Sequence, residues 1–400
     1  MRKLHIIIDV LIAIVVIVII ISLVSGRESL YYQDAQKAYS KAEKAAASLD
    51  LSKPENIYKM SNLYREVFDR YPDSRWADDA VYRLASRIDP TEEEAIILYR
   101  RLIRDYPDSE YMDKALYTIA MGHYDRGQYD KAIVEFGEVI SRHQASELAE
   151  KSHFNVALCR YGLEKWDQAV VEFQDFESRY PRSELVDDSR TYRGIIEINK
   201  GDFDSAIQIF KGVLQDFPGA DSADDAQFYM ASAHFEQGEL DVALADFQML
   251  TVEYPESEFL EEAQLMIGAV YEKQDKNEEA IAALEKALTD QPDGRYVSKA
   301  ETYIAEIYLK LNDTERAIST YQKVADNTQY DYDSRKNAQY QVGKIYELQE
   351  DYAKAIEVYK KLVEEFTKPT STPDAEANKI DKAYILNLQQ KVPLQPKSSA

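Results

Sequence analysis

A proline returns along this chain at Pro72, Pro107, Pro181, Pro218, Pro255 and Pro292, in steps of 35, 74, 37, 37 and 37 residues, the second step being twice the period. The surrounding text returns with it: RYPDSRWADDA, DYPDSEYMDKA, RYPRSELVDDS, DFPGADSADDA and EYPESEFLEEA. A fixed period of this length marks a repeat architecture, in which each unit buries its apolar face only by stacking on its neighbours. Such a fold offers a long surface in place of a single cleft.

Composition agrees. Of 400 residues, 45% are hydrophobic, enough for a core, and only 13 are Gly and 12 Pro, which points to helix. The net charge of −24, from 72 acidic and 48 basic residues, repels phosphates and excludes nucleic acid as a partner. A lone cysteine, Cys159, can form neither an intramolecular disulfide nor a cysteine zinc cluster, and its apolar helical setting predicts a buried, inert thiol.

With each proline as zero, further columns emerge. Eight residues on stand Ala80, Ala115, Ala226, Ala263 and Ala300. Thirteen on, every unit has a small residue: Ala85, Ala120, Ala157, Gly194, Ala231, Gly268, Ala305 and Gly343. Twenty-five on stand Ala132, Ala169, Ala206, Ala243, Ala280 and Ala317, with Ala95 and Ala355 in register after a short deletion and insertion. Four residues later comes a ring: Tyr64, Tyr99, Phe136, Phe173, Phe210, Phe247, Tyr321 and Tyr359, with Leu284 as the exception. A small residue lets a partner helix approach, and a ring at i+4 from the second alanine shares its face. Between the two small columns Gly127, Gly201, Gly238, Asp275 and Asn312 suit a left-handed helix end, from which Glu164 departs. The proline ends the second helix, and Ser74, Ser109, Ser183 and Ser257 are expected to cap the next one.

The small residue, the alanine twelve on, the ring four later and the proline eight after that resemble the tetratricopeptide repeat over roughly residues 30–366. The resemblance implies an all-α fold, a right-handed superhelical α-solenoid of about nine helix pairs. Three residues beyond the usual unit lie between proline and next helix. This lengthened loop is similar to that of bacterial envelope members: the outer-membrane-assembly lipoproteins, the periplasmic coordinator of the Tol-Pal system and, in layout, inner-membrane-anchored repeat proteins. The chain lacks the lipoproteins' lipidated cysteine. The resemblance implies a non-catalytic protein that binds other proteins or peptides of the envelope.

At the amino terminus, residues 1–5 carry Arg2 and Lys3, and the apolar run 6–24 carries one charge, Asp9. As a helix the run reaches about 28 Å, close to the ~30 Å hydrocarbon core. The preceding positive charges predict a single-pass anchor with a cytoplasmic amino terminus and residues 27–366 in the periplasm. A second reading is a signal peptide cleaved after Gly26, leaving a soluble periplasmic protein. Gln144 replaces the proline in one unit, and residues 30–49 have the spacing of a first helix. Residues 367–374 read as a linker and 392–400 as a disordered tail. Ala377, Ile380, Tyr384 and Leu388 give 375–391 an apolar stripe, either a capping helix or a partner-binding peptide.

In tetratricopeptide arrays the first helix of each pair lines the concave face. The matching positions are Tyr117, Met121 and Tyr124; Phe154, Leu158 and Tyr161; Ile195 and Ile198; Phe228 and Phe235, followed by the more polar Leu265, Ala269, Glu272, Thr302, Glu306 and Leu309. The groove set is Tyr117, Met121, Tyr124, Phe154, Leu158, Tyr161, Ile198 and Phe235. The competing reading packs the rings within each repeat. His123 and His234 share one column with Arg160, Glu197 and Tyr271, which suggests a packing edge. The sequence holds no HExxH, GxSxG, phosphate-loop or EF-hand pattern, so no catalytic residue, cofactor or metal is expected. The expected function is a membrane-anchored scaffold in outer-membrane assembly, cell-wall synthesis and division, or secretion. The alternative is a structural subunit gripped along its edges.

Overall fold

The computed structural model describes residue 17, residues 27–50, 52–366 and 376–392. Among these every regular element is helical. The first of two compact units ends at Ser189. It contains α1 (27–48), α2 (Pro54–Arg70), α3 (Ala77–Ala85), α4 (Glu93–Asp105), α5 (Met112–Asp125), α6 (Tyr129–Arg142), α7 (Glu147–Gly162) and α8 (Trp166–Arg179). α9 (Val186–Lys200) crosses the division. The second unit continues through α10 (Phe203–Asp216), α11 (Ala223–Gln237), α12 (Leu240–Glu253), α13 (Leu260–Lys273), α14 (Asn277–Asp290), α15 (Val297–Lys310), α16 (Thr314–Asp326), α17 (Tyr332–Leu348) and α18 (Tyr352–Glu365). A 3₁₀ turn, Glu376–Lys379, then leads to α19 (Lys382–Lys391).

The repeat columns are the core. Every ring of the series from Tyr64 to Tyr359 is at most 3% exposed, as is Leu284, and both alanine columns are closed to solvent. Where the thirteenth residue is glycine, the ring of the same pair, or Leu284 in the case of Gly268, occupies the place of its side chain. A methyl group on Gly343 would stand 2.3 Å from Cε1 of Tyr359.

From the α5–α6 pair to the α17–α18 pair, the turn between paired helices is left-handed. Gly127, Gly201 and Gly238 have φ of 67°, 79° and 81°, and Asp275, Asn312, Glu164 and Glu350 have 61°, 61°, 56° and 60°. Glu164 therefore keeps the geometry from which its residue type departs, at a cost of roughly 1–2 kcal/mol.

The expected serine caps are corrected. α3, α5 and α13 start behind Trp76, Tyr111 and Phe259, none of which caps with its side chain. The serines stand two residues earlier. Ser109, Ser183 and Ser257 hydroxyls accept the N–H of Tyr111, Leu185 and Phe259 at 3.1–3.3 Å. They close the turn that leads into the helix, because the serine carbonyls already accept the next backbone donors, as in Met112 N–H to Ser109 O at 3.3 Å. In the unit where Gln144 replaces the proline, Ser146 is the true N-cap of α7.

The run 6–24 lies outside the described residues except Ile17, which is helical and 54% exposed. Among the described residues no helix is long and apolar enough to cross a membrane. The linker 367–374 and the residues after 392 also lie outside. α19 packs on α18, with Ile385 and Leu388 buried beside Tyr359 and Leu362, and Ala377 buried ahead of it. Tyr384 stays 36% exposed, its hydroxyl 2.8 Å from Glu347 of α17.

Candidate protein-binding face

In two places the first helices of successive pairs pack directly on each other: α5 on α7, and α15 on α17. Their outward residues therefore form continuous strips. On α5, Tyr117, Met121 and Tyr124 follow at i, i+4 and i+7, one face of a helix. All three are half-buried, as are Leu158 and Tyr161 on α7.

The strip is held from below. Tyr117 sets its ring edge-on against the core ring of Phe136, with centroids 5.6 Å apart. Burial raises its phenol above the usual range. Asn155 of α7 donates from Nδ2 to the Tyr117 hydroxyl at 3.1 Å, and the same nitrogen lies 3.6 Å from Met121 Sδ. Tyr124 and Tyr161 each lean on the first ring of their own second helix: Tyr129 at 5.4 Å and Trp166 at 5.3 Å. Each is thus a fixed aromatic edge, pre-organised for contact.

Phe154 is different. It is only 7% exposed, and its ring packs edge-on against Phe173 and Phe176 at 5.7 and 5.5 Å. It belongs to the core, and so does Phe228, 6% exposed and stacked on Phe259 at 4.5 Å. Ten after the proline position, Phe154 and Phe228 are buried whereas Tyr117 stays half-buried, as do Tyr124, Tyr161, Ile198 and Phe235 seventeen after.

In the second unit Ile198 is half-buried at the margin of the core around Phe210. Phe235 is half-buried under Lys273, whose Nζ lies 4.1 Å from the ring centroid. Further along, Lys310 Nζ bridges Glu272 at 2.6 Å and Asp275 at 3.2 Å. Surrounding protein and then the Glu272 carboxylate push the Glu306 carboxyl up. The first-helix face is thus apolar on α5 and α7 in the first unit, and acidic residues stand on α13 and α15 in the second.

The sequence reading missed Asn155. Its signal was a single amide between apolar positions, and its role depends on a tyrosine 38 residues away.

His123 and His234 serve the turns. His123 Nδ1 lies 2.9 Å from Gln128 Oε1, and His234 Nδ1 lies 3.2 Å from Glu239 Oε2. In each case the partner is the residue just before the second helix. Burial pushes the Cys159 thiol up to about 12. Among the described residues no group of three or more His, Cys, Asp or Glu side chains is placed to hold a metal.

A family model described as the outer membrane lipoprotein YfiO matches residues 186–329. Tetratricopeptide-repeat models match residues 303–369, and 91–109 with 151–183. No curated protein matches the sequence. Among solved structures, a signal-transduction ATPase with a tetratricopeptide-repeat sensor from Pyrococcus horikoshii is 14% identical, with 88% of this chain and 55% of that chain covered, at a TM-score of 0.50. A repeat protein from Parabacteroides merdae is 14% identical (70% and 98% covered, TM-score 0.46). The C-terminal part of one from Cytophaga hutchinsonii is 18% identical (66% and 98%, 0.46). At these identities the likeness concerns the fold alone.

Proposed function

The chain is a tetratricopeptide-repeat protein that resembles envelope members of that family, and from this premise we propose that it is a non-catalytic scaffold of the bacterial cell envelope. Residues 6–24 hold it in the inner membrane with its amino terminus in the cytoplasm, and the repeats stand in the periplasm. The match of residues 186–329 to an outer membrane lipoprotein family supports the envelope setting. Partner proteins or peptides lie along the first-helix face of α5 and α7.

One observation carries the choice of face. Five half-buried apolar side chains, Tyr117, Met121, Tyr124, Leu158 and Tyr161, adjoin on two stacked helices around the Asn155 amide. Rigid aromatic edges around a hydrogen-bonding group are the composition of an interface hot spot. The Asn155 carbonyl oxygen can accept from a peptide backbone while Nδ2 donates to Tyr117 and Met121.

Affinity purification from native membranes, with wild type beside Tyr124→Ala/Tyr161→Ala, tests the face. The double variant is expected to lose its main partner while keeping its helical content. Retention of every partner at full strength would place binding elsewhere. A periplasm-active reporter fused after residue 366 is expected to be active, and its silence would overturn the topology.

A further inference from the structure

α14 is short of side-chain volume where its counterparts are filled. Three residues past the ring, the other second helices place a large buried side chain: Val139, Phe176, Val213, Leu250, Val324 and Leu362, all at most 1% exposed. In α14 the ring is replaced by Leu284, and the residue three on is Ala287. Protein interiors are close-packed, so a missing core side chain leaves space unless the neighbours collapse. Here they do not. A small cavity of about 20 Å³ opens on one side of Ala287, lined by Gln264, Leu265 and Leu288. On the other side a groove of about 420 Å³ runs between α12 and α14, floored by Ile267 and Tyr271 of α13.

The groove walls are short. Ala282, Ala283 and Ala287 form the α14 side, and Gln248 and Thr251 the α12 side. Beyond this wall α12 carries an apolar shoulder, Met249 at 51% and Val252 at 72% exposed. Apolar surface at an open groove marks a docking site more than scattered exposed residues do. Glu279 and Asp290 stand along α14 at opposite ends of the groove, with Lys286 between them, so its rim is acidic on balance.

The walls also decide what conformation can enter. All three helices have spent their backbone donors and acceptors internally, so no edge is offered to an extended strand. A helix satisfies its own backbone and presents apolar side chains at i, i+3 and i+4. From Glu279 to Asp290 the groove follows about 17 Å of α14, or about three helical turns.

We propose that the groove between α12 and α14 docks a basic amphipathic helix of a protein partner, with one large aliphatic side chain seated over Ala287. This site lies in the second unit and on second helices, apart from the face of α5 and α7.

The test uses the full chain and a labelled synthetic peptide of about three helical turns, with Leu along one stripe and Lys on its flanks, read by fluorescence anisotropy. Wild type is expected to bind it saturably. Ala287→Leu, which fills the groove from within, should weaken binding at least about tenfold with an unchanged or higher melting temperature. Ala282→Glu, at an exposed wall position, should weaken it without touching the core. Glu279→Lys should weaken binding and flatten its salt dependence. The proposal is overturned if Ala287→Leu and Ala282→Glu bind as tightly as wild type. It is overturned equally if a scrambled peptide of the same composition binds as well as the striped one. Loss of binding in Tyr124→Ala/Tyr161→Ala alone would assign the peptide to the other face.

Discussion

A methyl group on Gly194 would stand 2.5 Å from Cε1 and 2.6 Å from Cζ of Phe210, a ring closed to solvent on every side. Glycine within a helix ordinarily costs about 1 kcal/mol against alanine. Here the ring fills the place of the missing side chain, and the order reverses. Gly194→Ala is expected to lower stability by roughly 1–3 kcal/mol, measured by denaturant midpoint. Phe210→Ala should cost about 3–5 kcal/mol. The combination with Phe210→Leu should be less than additive, because the clash and the ring are one contact. Wild-type stability in Gly194→Ala would show that the pair is not packed this way.

Glu164 at φ 56° occupies a turn where other pairs place glycine. Glu164→Gly is expected to raise stability by about 1 kcal/mol, since relief of left-handed strain exceeds the entropy added to the unfolded chain. Gly238→Ala, at φ 81°, should do the opposite by a similar amount. A fall in melting temperature for Glu164→Gly would contradict the assignment.

The serines ahead of the first helices differ in their partners. Ser146 Oγ accepts from Leu148 N–H at 3.1 Å and donates to Asp113 Oδ2 of the preceding repeat at 2.5 Å. Ser74 Oγ is buried with no hydrogen-bond partner among the described residues. Ser146→Ala should therefore cost about 1 kcal/mol, while Ser74→Ala should be neutral or slightly stabilising. Equal losses in thermal melts would refute the distinction.

Burial holds His123 and His153 below the ordinary histidine value, with Arg179 adding to the effect at His153. A histidine with a depressed folded value contributes stability that is present above its unfolded value near 6.5 and lost as pH falls through the folded value. Melting temperature is thus expected to drop as pH is lowered from 7 through 6, and His153→Gln should reduce that slope. Asp246, raised by burial, acts in the opposite sense: its contribution is present below the unfolded carboxylate value and lost as pH rises through its folded one. A flat profile between pH 7 and 5.5 in wild type would be the adverse result.

Phe154 and Tyr161 sit seven residues apart on one helix and separate core from surface. Phe154→Ala should cost about 3–5 kcal/mol and Tyr161→Ala markedly less, while partner binding should respond to Tyr161. Comparable destabilisation would mean that Tyr161 is also core.

Much of this arrangement was readable in advance because it is local and repeated. Ala132 and Phe136 are one helical turn apart, and their recurrence in register required a buried stripe whatever lay opposite. Cys159 was legible for the same reason, from its apolar neighbours on α7. Ser109 was misread because a serine ahead of a helix looks alike whether it caps the helix or the turn before it; the backbone path chooses, and residue type does not. Phe154 stayed open between groove and core because its exposure depends on Phe173 and Phe176 in another helix. Asn155 drew no notice, since its meaning lies in the Tyr117 hydroxyl across a repeat boundary.

The sequence by itself determined the helix pairs, their small and aromatic columns and the left-handed turn between them, since each follows from period and residue size along one or two helices. Only the tertiary structure decided which outward residues remain at the surface, and that the space left by Ala287 stays open between α12 and α14. Both are properties of three helices at once. Burial depends on the distance to a neighbour that the chain reaches through a different repeat, and a missing side chain becomes a groove only when those neighbours hold their positions around it.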